Sequence, residues 1–134
     1  MPNILICDDE RDIVTALKIY LSSEGYGIYE AYTGRQAIEM VRRYDIQLIL
    51  MDVMMPRMDG FSAILRIRQK RNLPILVMSA KTEDSDKVLG LSIGADDYIS
   101  KPFSPTELVA RVRYRRRWLF TRATSSVGLK GLEM

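Results

Sequence analysis

Four apolar stretches of this chain each run into a side chain that could handle a metal or a phosphoryl group. NILIC at residues 3–7 leads into Asp8, Asp9 and Glu10, and QLILM at 47–51 leads into Asp52. LPILVMS at 73–79 ends on Ser79, and YIS at 98–100 is followed by Lys101 and Pro102. Carboxylates brought close together repel, so one must take up a proton or the group must bind a cation. Hard oxygen donors of this kind suit Mg²⁺, which uses a few carboxylates and keeps waters for a phosphate. The Lys101 ammonium and the Ser79 hydroxyl then supply a cation and a donor for phosphoryl oxygens. Histidine is absent, which excludes histidine-ligated metals, Ser–His or Cys–His triads and any phosphohistidine on this chain. There is no Gly-rich phosphate loop, and Cys7 reads as an inert buried thiol. The nucleophile class left is a carboxylate acting through an acyl phosphate.

Taken singly, each of these residues has an ordinary reading. Asp8-Asp9 reads as a helix N-cap, Ser79 as a strand-end hydroxyl and Lys101 as a solvated lysine. What raises them above that is their common position, because ligands of open parallel sheets bind at the carboxyl ends of the strands.

The elements that must place them alternate along the chain. Strands are expected at 3–7, 27–31, 47–51, 73–79 and 98–100 from their short, β-branched or unbroken apolar runs. Between them, residues 9–24 read as a helix with Ile13, Leu17, Tyr20 and Leu21 on one face, stopped by Gly25. Thr33-Gly-Arg-Gln36 has the form of a capping box opening a second helix with Ala37, Ile38 and Val41. A third helix carries Phe61, Ile64, Leu65 and Arg68. A fourth, 84–94, has a thin stripe of Val88, Leu91 and Ile93. Ser104-Pro-Thr-Glu107 opens a fifth that runs to about Arg117. Alternation of this kind implies a parallel sheet with right-handed crossovers and helices on both faces.

Composition sets the outer bounds. With 134 residues, 47% hydrophobic and 28% charged, the chain fits one globular domain with a real core. No apolar run is long enough to span a membrane, so no direct membrane binding is expected. The start is not that of a signal peptide, and a lone cysteine makes no internal disulfide; a cytoplasmic location is expected. Residues 1–110 carry 13 basic and 16 acidic side chains, while residues 111–134 carry seven basic and one acidic. The overall charge of +3 is therefore set by the tail, and global basicity is no argument for nucleic-acid binding.

The segments ILICDDE, LILMDVMMPRMDG, ILVMSA and GADDYISKPF resemble the receiver domain of bacterial two-component response regulators. The run IGADDYISKPFSPTELVARVR resembles the OmpR/PhoB class of transcription regulators. The resemblance covers residues 3 to about 118. It implies a flavodoxin-like (βα)5 fold of strand order 2-1-3-4-5, a receiver domain over 1–118, and a linker with the possible start of a winged-helix DNA-binding domain over 119–134. It implies that Asp52 accepts a phosphoryl group from a partner histidine kinase. Asp8, Asp9, Asp52 and the backbone carbonyl of Met54 would hold Mg²⁺. Ser79 would be the switch hydroxyl and Tyr98 the switch aromatic, moving inward from a more exposed rotamer on phosphorylation. Lys101 would pair with a phosphoryl oxygen, ahead of a cis bond to Pro102.

The resemblance also implies a phosphorylation-dependent homodimer through helix 4, strand 5 and helix 5. Its charge pairs would be Lys87–Glu107, Asp97–Arg111 and Asp96–Arg113, although Glu107 and Arg111 are also spaced to pair within one helix. DNA would be bound only through a C-terminal effector domain that this chain lacks. The basic stretch 111–122 on its own offers only salt-sensitive phosphate contact. Two features depart from the family's habit: serine rather than threonine at position 79, and Arg115-Arg116 where relatives tend to have leucines, on the apolar face of Val112. Two rival readings are an aspartate-nucleophile phosphatase, disfavoured by Met54 where a second acid is usual, and a pseudo-receiver interaction module, disfavoured by the complete Asp8/Asp9/Asp52/Ser79/Lys101 set.

Overall fold

The structure is a computed structural model of the chain and describes residues 2–53, 60–79 and 95–115. Five strands, β1 (Asn3–Cys7), β2 (Gly27–Ala31), β3 (Leu48–Asp52), β4 (Ile75–Ser79) and β5 (Asp97–Ser100), form one parallel sheet in the order β2-β1-β3-β4-β5. Three helices, α1 (Arg11–Ser22), α2 (Gly34–Arg43) and α3 (Gly60–Arg68), and a further helix described over residues 105–115 cover its faces. This is the parallel sheet that the alternating pattern predicts, in the flavodoxin-like order that the resemblance implies. The expected fourth helix, 84–94, lies outside the described residues.

The unbroken apolar strands follow from this layering. Successive side chains point to opposite faces, and both faces are covered, so the strands are apolar until their carboxyl ends, where Asp52 and Ser79 stand. Leu5, Cys7, Ile49, Met51, Ile75 and Val77 pack on the side of α2 and α3. Ile4, Ile6, Leu48, Leu50, Leu76 and Met78 pack on the other side, against Val14, Leu17 and Leu21 of α1 and Leu108 and Val112 of the last described helix. Two of the three interior strands, β3 and β4, are buried along their whole length.

Helix ends follow local chemistry. Thr33 caps α2, its hydroxyl accepting from the Gln36 backbone N–H at 3.1 Å, while the Gln36 side chain accepts from the Tyr32 N–H at 2.8 Å. Ser104 likewise accepts from the Glu107 N–H at 3.2 Å. After α1, Gly25 takes φ 92°, a left-handed conformation that glycine adopts without steric cost.

Three readings of helix faces need correction. On α1 the central stripe is Val14, Leu17 and Leu21, with Tyr20 exposed; Ile13 and Tyr20 flank that stripe and edge a shallow recess with Pro105. On α3 the buried positions are Gly60, Ala63, Ile64 and Ile67, and Leu65 points to solvent. Arg115 does not intrude into the core beside Val112. Its Nη2 donates to the Asp96 carbonyl at 2.6 Å and lies 3.7 Å from an Asp97 carboxylate oxygen, so the end of the helix is tied to the start of β5 by polar contacts. Arg116 lies outside the described residues.

Asp96 is the knot of this end of the fold. One carboxylate oxygen accepts from Arg68 Nη2 at 2.7 Å and from the Ile75 backbone N–H at 2.8 Å. Arg68 also donates to the Leu73 carbonyl. One arginine thus joins α3 to the entrances of β4 and β5. Removing it strands a carboxylate that is one-fifth exposed. Arg68→Ala is therefore expected to lower unfolding stability by about 1–3 kcal/mol, less than for a fully buried pair, as read from urea denaturation.

Candidate functional site

The register of the sheet brings the predicted residues together. Cys7 is level with Met51, Asp52 with Met78, and Ser79 with Ser100, so the residues that follow β1, end β3 and β4 and follow β5 meet at one edge. Among the described residues, oxygens of Asp8, Asp9 and Asp52 all lie within 4.8 Å of one another. Asp8, Asp52 and Ser79 are buried and Asp9 is exposed. The cluster therefore has a dry floor and one wet side.

Asp8 is held from two directions. One carboxylate oxygen accepts from the Glu10 backbone N–H at 2.9 Å, and the other from Lys101 Nζ at 2.6 Å. The same ammonium stands 3.6 Å from Asp52 Oδ1. The Lys101 backbone N–H donates to the Ser79 carbonyl at 2.7 Å, and the Lys101–Pro102 bond is cis, as the resemblance implies. Burial alone would push the Lys101 pKa down. The Asp8 hydrogen bond and the charges of Asp52, Asp8 and Glu10 outweigh it and hold the pKa above the ordinary lysine value. The charged form is thus favoured at every pH below that value, and its contribution is lost only in alkali, as pH rises through the raised pKa.

Among the described residues, three carboxylates outnumber the one ammonium that stands between Asp8 and Asp52. The donor atoms are hard carboxylate oxygens, two on a buried floor and one beside solvent, which fits a divalent cation that retains water. The backbone carbonyl of Met54 lies outside the described residues.

Two further residues border the site: Gly60, whose close approach the motif reading did not single out, and Cys7, read from the sequence as an inert buried thiol and found buried. Gly60, the first residue of α3, sits so close that a Cβ there would stand 2.1 Å from the Asp52 carbonyl oxygen and 2.7 Å from the Val53 Cα. The MDG segment carried the signal, since a glycine opening a helix marks a close backbone approach. Cys7 lies beneath the acids, its Sγ 3.4 Å from the Thr33 carbonyl. Burial first, and then the charges of Asp52, Asp8 and Asp9, push its thiol far above the ordinary range. Thiolate, the reactive form, is thereby suppressed. Native protein is expected to resist aromatic disulfide reagents at neutral pH and to react stoichiometrically once unfolded in guanidinium; rapid native labelling would show that the floor opens.

The remaining predicted residues fall elsewhere. Tyr98 is buried, packed in the same cluster as Val77 and Ala95, so its ring already lies inward. Asp97 pairs with Arg111 at 2.7 Å, Glu107 with Arg111 at 3.1 Å, Asp96 with Arg68, and Arg113 with Glu24. The residues expected to reach across a two-fold axis are thus engaged within their own chain. Lys87 lies outside the described residues.

Residues 4–113 match the model of the response regulator receiver domain. The chain belongs to that family. The receiver domain is 50% identical over 117 residues to the response regulator GtcR of Aneurinibacillus migulanus, covering 87% of this chain and 48% of that protein. It is 42% identical to the regulatory protein VanR of Enterococcus faecium, covering 85% and 49%. The chain therefore spans about half the length of these relatives. The solved receiver domain of the Francisella response regulator 1452 superposes with a TM-score of 0.83 at 33% identity, covering 92% of this chain and 99% of that one. Receiver domains bind Mg²⁺ through acidic residues, and Asp8, Asp9 and Asp52 form such a cluster here. No described helix is long and apolar enough to cross a membrane.

Proposed function

We propose that this receiver domain takes a phosphoryl group onto Asp52 from a histidine kinase, in a Mg²⁺-dependent reaction. The observation that carries the proposal is the convergence of Asp8, Asp9 and Asp52 around the Lys101 ammonium. An Asp52 carboxylate oxygen attacks phosphorus as the bond from phosphorus to the donor's imidazole nitrogen breaks, and that nitrogen leaves with the electron pair. Mg²⁺, held by Asp8, Asp9, Asp52 and the Met54 carbonyl, would supply charge neutralisation to the phosphoryl oxygens. Lys101 supplies a second positive charge already in position, so the residues act mainly by placement and electrostatics. Water attack on the same phosphorus returns the free carboxylate. The chain is its own phosphate acceptor and does not turn over an external substrate.

Phosphorylation adds charge and acceptor oxygens at Asp52. The Ser79 hydroxyl, at the end of the neighbouring strand, is the donor that closes on them, and the inward Tyr98 ring fills the space behind it. We assign the chain to the OmpR/PhoB class, with residues 1–118 as receiver and 119–134 as linker and the start of a DNA-binding effector. The relatives' twofold greater length supports that reading. The phosphorylated form would dimerise through helix 4, β5 and the helix at 105–115, once Asp97 and Arg111 exchange their internal pairing for one across the axis. Such exposed pairs set register more than affinity. The cytoplasm, where a kinase would meet it, is the expected location.

Incubation with a small acyl-phosphate donor tests the chemistry without the kinase. Intact-mass spectrometry should show one added phosphoryl group, dependent on Mg²⁺ and released by hydroxylamine. Labelling that survives chelation, or a hydroxylamine-stable adduct on serine, refutes the proposal.

A further inference from the structure

A second group of basic side chains lies away from the Asp52 edge. Helices of a parallel α/β unit run antiparallel to its strands, so the C-terminal ends of α2 and α3 meet at the opposite edge of the sheet. There a recess of about 490 Å³ opens between them, rimmed by Arg42, Arg66, Lys70 and Arg71 and floored by Ile38, Val41 and Ile67. No carboxylate lines it.

Ordinary needs account for only part of this charge. Basic residues in a last helical turn offset the negative end of the helix dipole, which covers Arg42 and Arg66. Arg71 Nη2 donates to the Val41 carbonyl at 2.9 Å, closing the end of α2. Arg42 has a loose contact to Glu39 at 3.4 Å, both side chains at least half exposed. Arg66 and Lys70 have no carboxylate partner among the described residues. Lys70 and Arg71 follow the end of α3 at Arg68, their backbone N–H groups donating to the Ile67 carbonyl at 3.1 and 2.9 Å, so four cations gather where one or two would offset the helix dipoles. Four cations around one concavity repel one another, and an anion seated among them would remove that repulsion.

We propose that this recess binds a small organic phosphate of mononucleotide size. Arginine forks match phosphate oxygens in pairs, and lysine adds a point charge. The aliphatic floor offers apolar contact to a flat ring, and the volume lies within the span of small-ligand sites. A concave recess between helix ends suits a compact anion better than a duplex, which needs an extended basic stripe. The site is independent of Asp52 and needs no divalent cation.

Calorimetric titration of the whole chain in EDTA tests this, with ADP, GDP, inorganic triphosphate and adenosine as probes. A nucleoside diphosphate should bind more tightly than adenosine and more tightly than inorganic triphosphate. Arg66→Glu with Lys70→Glu, both on exposed positions, should weaken binding about tenfold or more, while Asp52→Asn leaves it unchanged. Backbone amide shifts should localise to Ile38, Val41 and Ile67. Absence of nucleotide binding, binding insensitive to the double charge reversal, or triphosphate binding as tightly as nucleotide would each overturn the proposal. So would selective binding of duplex DNA in place of nucleotides.

Discussion

Asp52→Asn should leave the receiver domain without a phosphoryl acceptor and, with divalent cations removed, more stable than the parent. The first effect is complete, because an amide cannot form the acyl phosphate, and no described neighbour offers an equivalent carboxylate on the same strand end. The second follows from charge. Asp8 and Asp52 are buried, Asp9 stands beside them, and the Lys101 ammonium, 2.6 Å from Asp8 and 3.6 Å from Asp52, sets one positive charge against three carboxylates. Loss of one negative charge relieves repulsion while the 2.6 Å Lys101–Asp8 contact remains. A gain of about 1 kcal/mol, or roughly 3–6 °C in Tm, is expected in EDTA. Saturating Mg²⁺ should reverse the order, since the parent gains binding energy by mass action and the variant loses a ligand. Thermal melts of both proteins across a Mg²⁺ titration read this directly. Equal stabilisation of the two by Mg²⁺ would remove Asp52 from the cation site.

The fold was legible because its signals are local and mutually consistent. Unbroken runs such as LILM and ILVMS, short and bounded by turn residues, read as strands covered on both faces, and Thr33 and Ser104 announce helices through hydrogen bonds spanning three residues. Strand order was a different matter. Periodicity says that strands are parallel, not which is the neighbour of which; the order came from the resemblance of the motifs to a family. The helix faces were read less well. On α1 apolar residues occupy Ile13, Val14, Leu17, Tyr20 and Leu21, a band too wide for sequence to say which line faces the sheet. Leu65 fails for the opposite reason, because its neighbours Ile64 and Ile67 already satisfy the surface that α3 presents.

The site was legible as a set of residue types at strand ends. Its internal geometry was not. Nothing in the string DDE says that Asp8 turns inward to Lys101 and the Glu10 N–H while Asp9 stays in water. The pairs predicted across a dimer axis illustrate the same limit. Asp97 and Arg111 do attract, but complementary charges carry no information on whether they meet within one chain or between two. Arg115 reads as a misfit on an apolar face because helical spacing ignores reach; its long side chain carries the guanidinium past the core to the Asp96 carbonyl.

Gly60→Ala should damage both stability and phosphorylation, through one methyl group. The new Cβ would meet the Asp52 carbonyl oxygen at 2.1 Å and the Val53 Cα at 2.7 Å. Both are backbone atoms, so no rotamer change relieves the contact. Either α3 shifts outward, loosening the buried Ala63, Ile64 and Ile67, or the end of β3 shifts with the phosphoacceptor on it. Overpacking of this kind costs about 3 kcal/mol. A displacement of Asp52 of the order of an ångström slows an aligned transfer by about a hundredfold. Gly25→Ala provides the control. It forces a side chain into φ 92° at the far end of α1, costing about 1–2 kcal/mol without touching the acid cluster. Urea denaturation paired with phosphorylation rates from a small acyl-phosphate donor separates the two. Gly25→Ala should lose stability and keep its rate, whereas Gly60→Ala should lose both. A Gly60→Ala protein that phosphorylates at the parent rate would show that α3 yields instead of β3, and that the glycine serves packing alone.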